Sequence, residues 1–312
     1  MIERRVIVTD CQELLSPGIE LLQHHGVDTR LLAAGEGAKE AGEAPVVLVG
    51  TMPFQAAEIA ALRRTGLLVR AGGGYDIVDL EAATRAGVWV ANVPDYGLDE
   101  VADHTLLMLL GATRHLGELT MHWRGGSWTN DRLPEVHRIR GQTLGIVGMG
   151  RIGSRVAYRA RAFGWEVVEC SPRNGEGLDT LFAGCDAITL HCPLTATTRH
   201  LVNRSRLDLA RPGLVLVNTS RGGLVDLDAL ELAMAAGRVA AAALDVVDGE
   251  PTPDLDHPLL KRPEVLVTPH VAWYSWEARR DLAIKSAEEC LRYLDGSRPL
   301  NLLNPQARAT AG

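Results

Sequence analysis

One segment constrains the fold more than any other: TLGIVGMGRIGSRVAYRARAFGWEVVECSPRN, residues 143–174. An apolar, strand-like run over 143–147 leads into Gly148-Met149-Gly150-Arg151-Ile152-Gly153, and a helical pattern follows over 152–163. In that setting the glycines have separate mechanical jobs. Gly148 permits a tight turn out of the strand, Gly150 lets backbone amides approach a pyrophosphate, and Gly153 lets the helix pack close to the sheet, while the helix N-terminus adds partial positive charge. The segment therefore predicts a dinucleotide site opening a parallel α/β sheet. Its tail departs from the pattern: Ser171, Pro172 and Arg173 stand where an acid usually ends the second strand.

The following sequence extends the sheet. Apolar runs at 143–147, 166–170, 187–190, 214–217, 240–244 and 265–267 read as six strands, with helical patterns such as 227–236 between them. Ligands of doubly wound sheets bind outside the carboxyl ends of the strands. The residues after each run are, in order, Gly148-Met-Gly, Ser171-Pro-Arg, His191-Cys192-Pro193, Asn218-Thr219-Ser220-Arg221, Asp245 and Thr268-Pro-His270. Chemically capable side chains thus collect at strand exits, which points to a site rather than to ordinary polar loops.

The first part of the chain, to about Asp99, alternates short apolar runs (6–8, 46–49, 67–70, 88–91) with helical stretches (13–25, 56–65), predicting a second parallel sheet. Directly after Leu67-Leu-Val comes Arg70-Ala-Gly72-Gly73-Gly74. Three consecutive glycines either cradle a small anion such as a carboxylate on exposed N–H groups or form a flexible turn, and the local sequence leaves both readings open. A weakly charged helix from Asp99 to about His115 is apolar on all sides, which predicts burial between domains or at a subunit contact. The stretch 124–140 reads as a surface connection.

With 312 residues, 46% apolar and 23% charged, the chain has the length for two domains. The formal charge of -7 carries no long basic run, and no window approaches the ~18 apolar residues of a membrane span, so nucleic-acid and membrane partners are not expected. The N-terminus runs straight into a strand pattern, so no leader is expected. Five scattered cysteines (11, 170, 185, 192, 290) form no C-x-x-C pair. Reduced thiols, a cytoplasmic location, and neither disulfides nor a metal site are expected.

The motifs RAGGGYDIVDLEAATRAGVWVANVPDYGLDEVADHTL, TLGIVGMGRIG, LHCPLTATTRHLVN, LVNTSRGGLVDLDAL, ALDVVDGEP and TPHVAW occur in one order from Arg70 onward. Together they resemble the D-isomer-specific 2-hydroxyacid dehydrogenase family. VADHTL and TPHVAWYS are most similar to the branch that includes the C-terminal-binding proteins, NAD-dependent transcriptional corepressors. The resemblance implies an α/β chain of two Rossmann-like domains: a doubly wound, parallel-sheet cofactor domain (99–283) inserted into a discontinuous, flavodoxin-like substrate domain (1–98 and 284–312). It also implies a homodimer formed through the cofactor domain.

Reduction of a 2-oxo acid needs a hydride donor, a proton donor for the developing alkoxide and a cation for the carboxylate and carbonyl. On the family's pattern, His270 is the acid/base, of the side-chain type that titrates near neutrality. Glu250 holds the imidazole and favours its charged form. Arg221 offers a planar fork to the carboxylate and carbonyl. Arg70 and the backbone of Gly72, Gly73 and Gly74 match the substrate-carboxylate loop, and Trp273 either flanks the pocket or simply packs. Thr105, Met149, Arg151, Ile152, His191, Cys192, Pro193, Thr197, Thr219 and Ser220 match cofactor-contact positions, and Asp245 matches an aspartate on the nicotinamide side. His104 is assigned no role.

Rival readings come from other classes. A cofactor-sensing, corepressor-like binding protein is one, although Arg221, Glu250 and His270 are all retained. A phosphite-type dehydrogenase shares that triplet, whereas a formate type pairs its His with Gln. The chain ends soon after its return helix, so no feedback domain of the long phosphoglycerate dehydrogenases is expected. For the cofactor, NAD(P), the missing acid at Ser171 removes the repulsion of a 2′-phosphate and Arg173 can neutralise it, so NADP(H) is favoured over NAD(H).

Overall fold

A computed structural model of the chain describes residues 2–33, 35–126, 128 and 134–307. The chain divides into two compact units, Met1–Gly97 with Ser275–Gly312 and Leu98–Tyr274, and residues 308–312 of the expected C-terminal piece lie outside the described residues.

The first unit begins with β1 (Arg5–Val8), α1 (Gln12–His24), β2 (Asp28–Leu31), α2 (Ala38–Ala41), β3 (Val46–Val49), α3 (Ala56–Ala60), β4 (Leu67–Arg70), α4 (Leu80–Arg85) and β5 (Trp89–Asn92). Its sheet is parallel throughout, in the order β2-β1-β3-β4-β5, which is the flavodoxin-like arrangement. Strands covered on both faces read as continuous apolar runs. This holds for β3 (VVLV), buried at every position, whereas β2 (DTRL) lies at the sheet edge and alternates exposed with half-buried residues. For that reason β2 has no apolar signature. The helix expected over 56–65 stops at Ala60. The unpredicted α4 is capped by Asp79, whose carboxylate accepts the Ala82 N–H at 2.8 Å. Ile7, Val47, Val49, Phe54, Leu68 and Val90 share the core.

The second unit contains α5 (Leu98–Thr113), α6 (Leu116–Arg124), β6 (Thr143–Val147), α7 (Arg151–Ala162), β7 (Glu166–Cys170), α8 (Gly175–Gly184), β8 (Ala187–Leu190), α9 (Arg204–Leu209), β9 (Leu214–Asn218), α10 (Leu227–Ala235), β10 (Val239–Leu244) and β11 (Val265–Val267). Its six strands are parallel in the order β7-β6-β8-β9-β10-β11. Alternate residues feed two cores. Leu190, Leu216 and Leu244 pack with Phe182 of α8 and Leu230 of α10, while Ile146, Val217 and Ala243 pack with Leu109 of α5 and Val156 of α7. The register decides what happens at the carboxyl edge. Val147 aligns with Cys170 and Leu190, Leu190 with Asn218, Asn218 with Leu244, and Leu244 with Val267. Gly148, Ser171, His191, Thr219, Asp245 and Thr268 therefore leave the sheet side by side.

Helix α5, expected to be buried between domains or at a subunit contact, buries one face within the second unit and leaves another exposed in the single chain. Ala102, Leu106 and Leu109 are buried, but Leu107 is 60% exposed. Neighbouring α6 buries none of its residues. The expected connection over 124–140 falls partly outside the described residues, at 127 and 129–133.

The chain returns to the first unit through α11 (Trp276–Leu294), capped by Ser275, whose hydroxyl oxygen accepts the Ala278 N–H at 2.9 Å. The domain break expected at about 284 falls inside this helix, because the capping serine sets its start. A side chain on Gly18 of α1 would lie 2.2 Å from the Ala283 carbonyl oxygen. Only glycine permits that approach of α1 to α11.

Candidate active site

The glycine loop has the geometry its sequence demands. Gly148 adopts a φ of 98°, and a Cβ there would lie 2.7 Å from the His191 carbonyl oxygen; a Cβ on Gly153 would lie 2.2 Å from that of Gly148. Gly150 is different: the direction of its missing Cβ is open, with nothing within 4 Å. It is the N-cap of α7, which has no side-chain cap and no acid in its first turn. A helix N-terminus left free of carboxylates beside an open glycine fits the pyrophosphate of a dinucleotide. Met149 and Ile152 pack half-buried on the core, and Arg151 is exposed.

Next to this loop is the irregular tail. The Gly148 N–H donates to the Cys170 carbonyl at 2.9 Å, which seats Ser171 beside the glycine turn. Ser171 and Arg173 are both exposed around half-buried Pro172, and the Arg173 N–H donates to Ser171 Oγ at 3.3 Å.

The middle exits are held by internal hydrogen bonds. His191 Nε2 lies 3.0 Å from Thr189 Oγ1, and burial pushes this imidazole down to about 4, so it is neutral at physiological pH. Cys192 turns its thiol into the core, where burial pushes it up to about 11; its carbonyl accepts the Ser220 hydroxyl at 2.7 Å. The side chain of Cys192 thus faces the core, and its backbone stays at the exit. The Pro193 carbonyl accepts the Thr198 hydroxyl at 2.8 Å, and exposed Thr197 lies 3.0 Å from Thr195 Oγ1. Thr105 donates to the Val101 carbonyl at 2.6 Å, which uses its one proton, so Thr219, 2.8 Å away, donates to Thr105. Asn218 braces the next turn by donating to the Arg221 carbonyl at 2.8 Å and accepting the Ser220 N–H at 3.0 Å.

His270 Nδ1 and Glu250 Oε2 are 2.5 Å apart, and Glu250 Oε1 accepts the Val247 N–H at 2.8 Å. Burial pushes the Glu250 carboxyl up, but the His270 hydrogen bond and charge, the Val247 amide and the Arg221 charge together hold it below the usual carboxylate range. Arg221 steadies its guanidinium by donating to the Ser220 carbonyl at 2.7 Å. His270 has a φ of 55°, a left-handed conformation uncommon for a residue with a side chain. Its N–H donates to the carbonyls of Asp245 (2.7 Å) and Thr268 (3.0 Å). Trp273 Nε1 donates to the His270 carbonyl at 3.1 Å, and its ring meets Tyr274 edge-on, with centroids 5.7 Å apart.

Asp245, matched from sequence to the nicotinamide-side aspartate, has a buried carboxylate that braces its own loop: Oδ1 accepts the Thr268 hydroxyl (2.6 Å) and the Val271 N–H (2.9 Å), and Oδ2 accepts the Ala272 N–H (2.9 Å). His104, given no role from sequence, places Nε2 3.1 Å from Thr268 Oγ1. No local signal joins the two, because α5 and the exit of β11 are far apart in the chain.

The other expected substrate residues belong to the first unit. Gly72 has a φ of 150°, and a Cβ there would lie 2.3 Å from Arg70 Nη1, so the guanidinium rests against the glycine. The carbonyls of Gly72 and Gly73 accept the Val93 N–H (3.1 Å) and Asn92 Nδ2 (2.7 Å). Among the described residues no protein acceptor takes the N–H groups of Gly73 and Gly74. Again among the described residues, no helix is long and apolar enough to cross a membrane.

The sequence model of the family "D-isomer specific 2-hydroxyacid dehydrogenase, NAD binding domain" matches residues 106–272. A hydroxypyruvate reductase of Thermotoga maritima is 36% identical over 245 residues, covering 76% of this chain and 80% of the relative. Among solved structures, the TT0316 protein of Thermus thermophilus is 34% identical with a TM-score of 0.86, over 96% of this chain and 99% of that one. A glyoxylate reductase of Paecilomyes thermophila is 27% identical with a TM-score of 0.87, over 98% of this chain and 100% of that one. The chain belongs to the D-isomer-specific 2-hydroxyacid dehydrogenases, oxidoreductases that exchange a hydride between a nicotinamide cofactor and a 2-hydroxy or 2-oxo acid.

Proposed function

We propose that His270, Glu250 and Arg221 are the catalytic residues of this oxidoreductase. The observation that carries the reading is the 2.5 Å contact of His270 with a Glu250 carboxylate that also feels the Arg221 charge. Nicotinamide, when bound, supplies or takes the hydride. In reduction His270 delivers a proton to the carbonyl oxygen, Glu250 orients the ring and balances its charge, and Arg221 binds the carboxylate and polarises the carbonyl. Within the first unit, Arg70 and the amides of Gly72, Gly73 and Gly74 form a cradle for a small anion such as a carboxylate, supported by the N–H groups of Gly73 and Gly74, which have no protein acceptor among the described residues. Trp273, fixed against the His270 carbonyl, favours substrates with an apolar side chain.

The cofactor is held by Gly148, Gly150 and Gly153 at the N-terminus of α7, with Thr105, Met149, Arg151, Ile152, Pro193, Thr197, Thr219, Ser220 and the backbone of His191 and Cys192 around it. NADPH is preferred, because exposed Ser171 and Arg173 present a donor and a cation where an acid would repel a phosphate. The chain works as a cytoplasmic homodimer through α6, which offers Leu116, Met121 and Trp123, each more than half exposed. The similarity of VADHTL and TPHVAWYS to the C-terminal-binding-protein-like branch supports reading the chain as an enzymatically active relative of that branch.

The test is absorbance of NADPH and NADH with purified protein and a panel of 2-oxo acids that begins with hydroxypyruvate and glyoxylate. At least one is reduced, and His270→Ala abolishes the turnover. No reduction across the panel, or unchanged turnover in His270→Ala, overturns the assignment.

A further inference from the structure

We propose that His104 is a positioning residue for His270, acting through Thr268 and Asp245; the inference rests on the reading of His270 as acid/base. Thr268 leaves β11 two residues before His270 and has a single hydroxyl proton. Its oxygen is 2.6 Å from Asp245 Oδ1, and a carboxylate only accepts, so the proton lies there. The 3.1 Å contact between Thr268 Oγ1 and His104 Nε2 therefore has the imidazole as donor. This fixes the tautomer of His104 with its proton on Nε2.

The result is a directional chain running from the His104 N–H to the Thr268 hydroxyl and on to the Asp245 carboxylate. The carboxylate then accepts the N–H groups of Val271 and Ala272, the two residues after His270. His270 is thus gripped on both sides, with its own N–H on the carbonyls of Asp245 and Thr268. That grip has a task, because His270 is held at a φ of 55° and a left-handed non-glycine residue persists only where its surroundings over-determine it. His104 also lies 3.7 Å from Asp245 Oδ1, and its side chain is only 18% exposed, so solvent is a poor substitute for its N–H. Without it, the Thr268 hydroxyl keeps its bond to Asp245 Oδ1 but loses the donor that fixes its direction from the other side.

The test compares His104→Leu, which removes the donor, with His104→Gln, whose amide nitrogen takes the Nε2 place. In steady-state reduction, His104→Leu lowers kcat about 10-fold, the equivalent of one lost hydrogen bond, while KM for the 2-oxo acid changes by less than about two-fold. His104→Gln recovers most of kcat. In a Thr268→Val background, where the chain is already cut, His104→Leu has no further effect on kcat. A His104→Leu protein with wild-type kcat, a His104→Gln protein as impaired as His104→Leu, or full additivity with Thr268→Val overturns the proposal. If His104→Leu does not fold, rescue by His104→Gln relative to Thr268→Val decides the matter. His270→Asn is assayed alongside: full activity in that variant overturns the acid/base reading, while loss of activity there with wild-type kcat in His104→Leu overturns only the role of His104.

Discussion

Glu250 binds His270 with one carboxylate oxygen and the Val247 amide with the other, so neither the carboxylate nor the ring is free to turn independently. The pair is a fixed unit at the exit of β10 and the loop after β11. Because the net environment lowers the Glu250 pKa, its ionised form is stabilised above the ordinary carboxylate range, and that contribution is lost as pH falls into the acid range. A neutral glutamine cannot balance an imidazolium. Glu250→Gln is expected to lower kcat/KM for reduction by about 10- to 100-fold. Steady-state kinetics of the two proteins check this; an unchanged kcat/KM contradicts it.

Cofactor choice depends on Ser171 and Arg173 in the proposed reading. Ser171→Asp restores a carboxylate beside the glycine turn and should raise KM for NADPH by about 10-fold or more through like-charge repulsion, with NADH less affected. Arg173→Ala should weaken NADPH alone. Michaelis constants for both cofactors in the three proteins decide this, and an unaltered NADPH constant in Arg173→Ala means the side chain does not reach the phosphate.

His191 predicts an acid weakness. Its folded pKa of about 4 lies below the unfolded value of 6.5, so the unfolded chain binds the extra proton between these values. Stability is fully present above 6.5 and declines as pH falls towards 4, by up to about 3 kcal/mol from this group. Urea unfolding at a series of pH values should show the decline, and His191→Asn should flatten it. An equally steep decline in the variant assigns the weakness to other groups.

Gly153→Ala tests the contact between α7 and the glycine turn. The added methyl would meet the Gly148 carbonyl oxygen at 2.2 Å, so the helix must shift. Destabilisation by about 1–3 kcal/mol is expected from overpacking, with weaker dinucleotide binding because the N-terminus of α7 moves. Thermal melting and a dinucleotide titration measure the two effects, and a variant that melts and binds like wild type would show that the helix accommodates the methyl.

Trp123→Glu tests the subunit contact. If α6 is covered by a second copy, a charge on this 58% exposed ring should convert dimer to monomer. Sedimentation velocity separates the forms. An unchanged dimer would move the interface elsewhere, and a monomeric wild type would remove it.

Much of this protein was legible without coordinates. Buried parallel strands are continuous apolar runs, so β3, β6, β8 and β9 could be read directly, and the glycine loop declared a strand-turn-helix because a side chain at 148 or 153 would meet backbone while Gly150 leaves the helix N-terminus open to approach. The exposed edge strand β2 could not be read, since its four residues lack that run. Position along the chain also identified Arg221, Glu250 and His270 as candidates, through motif order. Only the tertiary structure decided how they are held. The sheet register set six strand exits side by side, turned the thiol of Cys192 into the core, made Asp245 a brace for the His270 loop and brought His104 from α5 to Thr268. The physical reason is that a hydrogen bond depends on an ångström-scale distance and on direction, and across distant segments both are set by packing rather than by residue order.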